Sequence, residues 1–161
     1  MRYLAHRKIL DRFALALFIL IFTGCSSGVV VHDQARAAEL VVDFLTSLKS
    51  DQGIKLAYEW TDDRYKEEVS FSRFIQIASS IRNRNLGADI HLVGYEVFGS
   101  KEAIVVYANS DVNEGKLYFK FSLVGTKTKD YYLINLNTGD SEFIKNGIYR
   151  EYGRSIIIQG V

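Results

Sequence analysis

The chain has a single thiol, Cys25, and it stands at the end of an unbroken apolar run, "FALALFILIF" (13–22), with only Thr23 and Gly24 between them. A thiol is intrinsically very nucleophilic, so a cysteine there is suited to forming a covalent thioether. Arg2, Arg7, Lys8 and Arg12 precede the run. A charged start, an apolar middle and small residues before a cut are the layout of a secretory signal. The run is about half of the roughly 20 residues that a helix needs to cross a bilayer core, so a permanent span is not expected.

Other reactive constellations are sparse. The sequence has no Gly-rich phosphate loop, no HExxH, CxxC or EF-hand spacing and no Gly-x-Ser-x-Gly elbow. Beyond the signal the histidines are His32 and His91, far apart in sequence, whereas a metal centre needs three or four convergent ligands. No metal and no cofactor are expected. What remains is Asp89, Glu96 and Asp111, on or beside strands, with Tyr95, Tyr107 and Tyr118 nearby. A carboxylate buried in an apolar pocket against a tyrosine hydroxyl can do general acid–base work. Asp89 and Asp111, however, fall at strand ends, where aspartate is usual for structural reasons. Glu96 sits between Tyr95 and Val97, which leaves open the face to which it points. Asp62-Asp63 and Glu67-Glu68 read as a solvated face.

The segment Phe22-Thr23-Gly24-Cys25 resembles the bacterial lipobox, with Phe22 where that motif usually has leucine. The resemblance implies cleavage between Gly24 and Cys25 and a diacylglyceryl thioether on Cys25. Two or three fatty-acyl (palmitate-type) chains would then hold the protein on a membrane. The alternatives are an uncleaved signal anchor and an ordinary signal with a coincidental cysteine. Ser26-Ser27 lack the aspartate that resembles an inner-membrane retention signal, so the outer membrane, facing the periplasm, is expected.

Organisation follows from this division: residues 1–24 a signal, 25–31 the lipidated cysteine and a tether, 32–161 one domain. Removal of residues 1–24 leaves 16 Lys and Arg against 18 Asp and Glu, a net charge of −2. Mixed signs without a basic stripe give no expectation of a nucleic-acid partner. Export also suits a chain with no further cysteine. Proline is absent altogether, so turns rest on Gly, Asn and Asp.

Within the domain, helical periodicity comes first. Asp33 is placed to cap a helix whose apolar positions are Ala35, Ala38, Val41, Val42, Leu45 and Leu48. Ile54, Ala57 and Tyr58 mark a second helix, ending around 61–63, with Trp60 close by. A third, capped by Ser70 or Ser72, has the stripe Phe71, Phe74, Ile75, Ala78 and Ile81, with Gly87 beyond its end. The period then changes to two. Four strands follow, "ADIHLVGYEVFG", "EAIVVYANS", "GKLYFKFSLVG" and "DYYLINLN", the last closing at a turn over 137–140. Short connections give an antiparallel meander, and residues 142–161 add either a fifth strand or a short helix with an edge strand at 155–159.

Helices followed by strands predict an α+β fold: three N-terminal helices packed on a curved four- to five-stranded antiparallel sheet. The order, with "AAELVVDFLTSLKSDQGIKLAYEW" leading and "FSRFIQIASSI" introducing the sheet, resembles the cone-shaped NTF2-like superfamily, and within it small lipoproteins of unknown function. A cystatin-like fold, with one helix on a similar sheet, is the alternative. The resemblance implies two uses of the cone. Some members are isomerases or dehydratases with an aspartate base and a tyrosine donor; others are interaction domains.

Phe119, Phe121, Tyr107 and Tyr132 are expected to pack beneath the helices, or else to line a cavity for a small apolar ligand. The favoured expectation is a binding module on the membrane surface, not an enzyme, docking an envelope partner through the exposed sheet edge and through Tyr95, Tyr107 and Tyr118. A small-molecule carrier or isomerase-like enzyme is the alternative.

Overall fold

The structure, a computed structural model, describes residues 30–85, 87–99, 101–113 and 115–160. Residues 1–24, where a signal is expected, and Cys25 therefore lie outside the described residues.

Among the described residues four helices come first: α1 (Gln34–Ser47), α2 (Asp51–Glu59), α3 (Asp63–Glu68) and α4 (Phe71–Asn85). Asp33 caps α1 by accepting from the backbone of Ala35 and Arg36, and Ser50 caps α2 by accepting from Gly53. Gly53 lets the two helices approach: a Cβ there would lie 2.1 Å from the carbonyl oxygen of Ser47. Ser70, rather than Ser72, accepts from Arg73 at the start of α4.

The second helix expected from sequence ends at Glu59, close to the expected 61–63, and a further short helix, α3, follows that was not expected. The break between them has a cause outside the helices, because the intervening backbone pairs with the sheet. Asp62 donates its N–H to the Leu133 carbonyl at 2.8 Å, and Leu133 donates to that of Trp60 at 3.0 Å. Asp62 then caps α3 through the backbone of Arg64.

Five strands form one antiparallel sheet in the order β4-β3-β2-β1-β5: β1 (Ile90–Val97), β2 (Ala103–Val112), β3 (Gly115–Thr126), β4 (Lys129–Gly139) and β5 (Ile148–Ile158). The first four are the expected meander, although β4 runs on to Gly139 through the turn expected at 137–140. The ambiguous C-terminal stretch is a full strand that returns to pair with β1. To reach it, residues 140–147 cross the face of the sheet turned away from the helices, where residues 142, 143 and 145 lie against Tyr107, Tyr118 and Tyr149. The architecture is the α+β one expected, consistent with an NTF2-like fold and with more helix than a cystatin-like one.

The core lies between the helices and the inner face of the sheet. Phe44 of α1 meets Phe74 of α4 and Phe121 of β3 edge-to-face, with ring centroids 6.0 and 6.1 Å apart, and so ties the layers together. Leu45, Ile81 and Phe119 are buried with them. The α1 stripe is rotated from the expected one: Ala37 and Phe44 face inward, Ala35 is exposed and Val42 is half-buried. On α4, Phe71 and Ile75 are about 40% exposed rather than buried. Tyr132 also differs from expectation. It points outward, and its neighbours Tyr131 and Leu133 face the core.

One irregularity decides what the outer face carries. Ile90 and Leu92 point into the core, so strict alternation along β1 would send Glu96 inward as well. A β-bulge between Leu92 and Gly94 shifts the register. Beyond it Tyr95 and Val97 pack on the core, whereas Glu96 shares the outer face with Tyr107 and with Tyr149, its partner in β5.

Candidate functional site

Glu96 is 1% exposed and satisfied on both oxygens. Its Oε2 accepts from the Tyr107 hydroxyl at 2.5 Å, and its Oε1 accepts the backbone N–H groups of Asn146 and Gly147. Gly147 can come this close because it lacks a side chain: a Cβ would lie 2.7 Å from the Val97 carbonyl oxygen. The carboxylate thus pins the crossing segment to the sheet. Burial, then the hydrogen bond to Glu96, pushes the Tyr107 hydroxyl well above the usual tyrosine range.

Above this tie is an open groove of about 270 Å³ lined by Tyr107, Tyr118 and Tyr149 together with Glu142, Lys145 and Glu151. The Tyr107 and Tyr149 rings meet nearly edge-on, 5.9 Å apart. Lys145 Nζ lies 5.0 Å from the Tyr149 centroid and 5.7 Å from that of Tyr107, within the range of a cation–π contact. Tyr149 lies against Gly94, where a Cβ would be 2.5 Å from its hydroxyl. Burial raises the Tyr149 hydroxyl too, with the Lys145 charge opposing the shift.

The expected tyrosine trio is therefore divided. Tyr107 and Tyr118 share the groove, whereas Tyr95 points to the other face and packs on Tyr152, centroids 5.4 Å apart. Tyr149 takes the third place. Sequence reasoning passed over Tyr149 and Lys145 because their segment could be read as strand or helix. The short alternation "IYRE" (148–151) is the signal that was present.

The other expected residues have structural partners. Asp89 accepts from the backbone of Gly160 at 3.2 Å, and Asp111 pairs with Lys116 at 3.4 Å. His32 lies 3.0 Å from the Lys101 carbonyl oxygen through Nε2. At one end of the sheet Arg84, Asp111, Asn113, Lys116 and Asp140 line a wider, polar cleft of about 880 Å³. Its charges are matched, with Arg84 paired to Asp140 and Lys116 to Asp111. Among the described residues no group of three or more His, Cys, Asp or Glu converges as a metal site, and no helix is long and apolar enough to cross a membrane.

The sheet edges differ. β4 is covered in part by the Trp60–Asp62 backbone, while β5 lies at the other end of the order with Ile148 58% and Ile157 49% exposed. Comparison of the chain with protein-family models, with curated proteins and with solved structures finds no match.

Proposed function

We propose that the chain is an exported lipoprotein held on the periplasmic side of a bacterial outer membrane by lipid on Cys25, and that its domain is a binding module. Its recognition surface is the groove of Tyr107, Tyr118 and Tyr149, with the β5 edge beside it. The observation that carries this reading is the contrast between the faces. The helix side is filled by large buried aromatics such as Phe44, Phe119 and Phe121, whereas the outer face presents half-buried Tyr118 and Tyr149 in an open groove that buried Tyr107 also lines. Tyrosine supplies rigid, amphipathic contact area at low entropic cost.

The anchor suits that surface. Val31 accepts from the backbone of Lys127, and His32 meets the Lys101 carbonyl, so the N-terminal segment joins the domain at the turn end of the sheet. Residues 26–31 can span at most about 20 Å, which would hold that end near the lipid and leave the groove on the flank.

Two experiments test the parts separately. Cys25→Ser should abolish lipid labelling and leave unprocessed precursor; processing and localisation like the parent would overturn the anchor. A photo-cross-linking residue at position 118 should give a discrete adduct in the envelope, and one at exposed Glu39 should not. Equal labelling from both positions would overturn the groove as the recognition surface.

The Glu96–Tyr107 pair favours a second reading, an isomerase-like acid–base site, because it is the buried carboxylate and tyrosine hydroxyl that such chemistry uses. Against it stands the engagement of both carboxylate oxygens by protein donors, which leaves none directed at a substrate. Proton exchange into an enolisable ketone, lost in Glu96→Gln with the fold retained, would favour this reading over the first.

A further inference from the structure

We propose that the Tyr107–Tyr149 pair is a receptor for a trimethylammonium group, and that Lys145 occupies it as an internal stand-in. The inference rests on the reading of the groove as a binding surface and names the chemistry of its ligand.

The two walls do not depend on the lysine for their positions. Tyr107 is held from behind by its hydrogen bond to Glu96, and Tyr149 is seated on Gly94 with its hydroxyl 3.5 Å from the Val93 carbonyl oxygen. Between them the Lys145 ammonium faces both rings, and its only ion-pair partner among the described residues is Glu142. The lysine side chain is 26% exposed and comes from the crossing segment, so it can swing outward without disturbing the strands.

With Lys145 displaced, the groove keeps Glu142 and Glu151 on its rim and the Glu96 carboxylate beneath Tyr107. Lys116 also lines the groove, but Asp111 pairs with it. Aromatic faces with a negative rim attract a cation. A trimethylammonium group fits this better than a primary amine. It donates no hydrogen bonds and gives up its hydration easily, so ring faces satisfy it fully, whereas an ammonium prefers water or a carboxylate. The same group occurs on free choline and on a phosphocholine headgroup. Glu142 and Glu151 would repel the adjoining phosphate, so the free cation is the favoured source.

The test titrates the full chain, purified in mild detergent, with choline chloride, glycerophosphocholine and the neutral isostere 3,3-dimethylbutanol. Binding is read by saturation transfer to the ligand methyl protons. In Lys145→Ala, choline should bind at least about tenfold more tightly than to the parent chain, where Lys145 competes, and about tenfold more tightly than the isostere. Adding Tyr149→Ala should remove the signal. Glycerophosphocholine should bind more weakly than choline; the opposite order would assign the trimethylammonium to a lipid headgroup. If neither cation binds to a Lys145→Ala chain that melts like the parent, or the isostere binds as tightly, the proposal fails. A missing cross-link from position 118 with choline binding intact would instead remove the partner reading and leave the cation site standing.

Discussion

The Tyr107 hydroxyl donates to Glu96 across 2.5 Å, on the face of the sheet turned away from the helices. A carboxylate in a β-strand usually faces water. This one is buried because the segment after β4 folds over it and donates two backbone N–H groups to it.

Glu96→Ala should accordingly destabilise the domain by about 2–4 kcal/mol, since it leaves the buried Tyr107 hydroxyl and two part-buried backbone N–H groups without their acceptor. Urea unfolding gives the magnitude. Limited proteolysis should also cut the 140–147 segment faster in the variant, and an unchanged cleavage rate would mean that the segment is held by other contacts.

Phe119→Ala should cost about 3–5 kcal/mol, because the ring is wholly buried beneath the helices. Val42→Ala, on the half-buried flank of α1, should cost much less, about 1 kcal/mol. Thermal melts of the two variants side by side check the ranking, and reversal of the order would contradict the packing described.

Tyr152→Phe should raise the melting temperature by a few degrees. The Tyr152 hydroxyl is buried and has no hydrogen-bond partner among the described residues, so it carries a desolvation cost that phenylalanine avoids. A lower melting temperature would reveal a partner for that oxygen.

Alkali should unfold the protein through its tyrosines. Burial raises the hydroxyls of Tyr107, Tyr149 and Tyr152 above their ordinary value. Past about pH 10 the unfolded chain sheds these protons before the folded one does. The unfolded state then binds fewer protons, and stability falls as pH rises. Urea midpoints should be level from about pH 8 to 9.5 in this respect and decline above it. Tyr152→Phe should make the decline shallower; an equal slope would exclude Tyr152 as a contributor.

Much of the fold was legible because periodicity is a local signal. The stripe of Leu45 and Leu48 and the alternation of Phe119, Phe121 and Leu123 each appear within a few residues. The errors arose where distant backbone intervened. Nothing local to residues 59–63 announces that Leu133 will pair with Trp60 and Asp62 and that a further short helix, α3, will start just beyond them. The candidate site was legible in part. Tyr107 and Tyr118, two strand partners apart on one face, were found together. Tyr95 was misplaced because a single extra residue at the bulge exchanges the faces of everything after it.

The position of β5 beside β1 also imposes an order of events on assembly. A chain delivered N-terminus first can complete the helices and the β1–β4 meander while β5 is still to come. During that interval one edge of β1 is unpaired, and Glu96 lacks donors that lie fifty residues further along. An unpaired strand edge is a template for joining other chains. The vulnerable interval closes only when the last strand arrives, so the rate at which β5 docks, and anything that covers β1 meanwhile, would bear on yield as well as final stability.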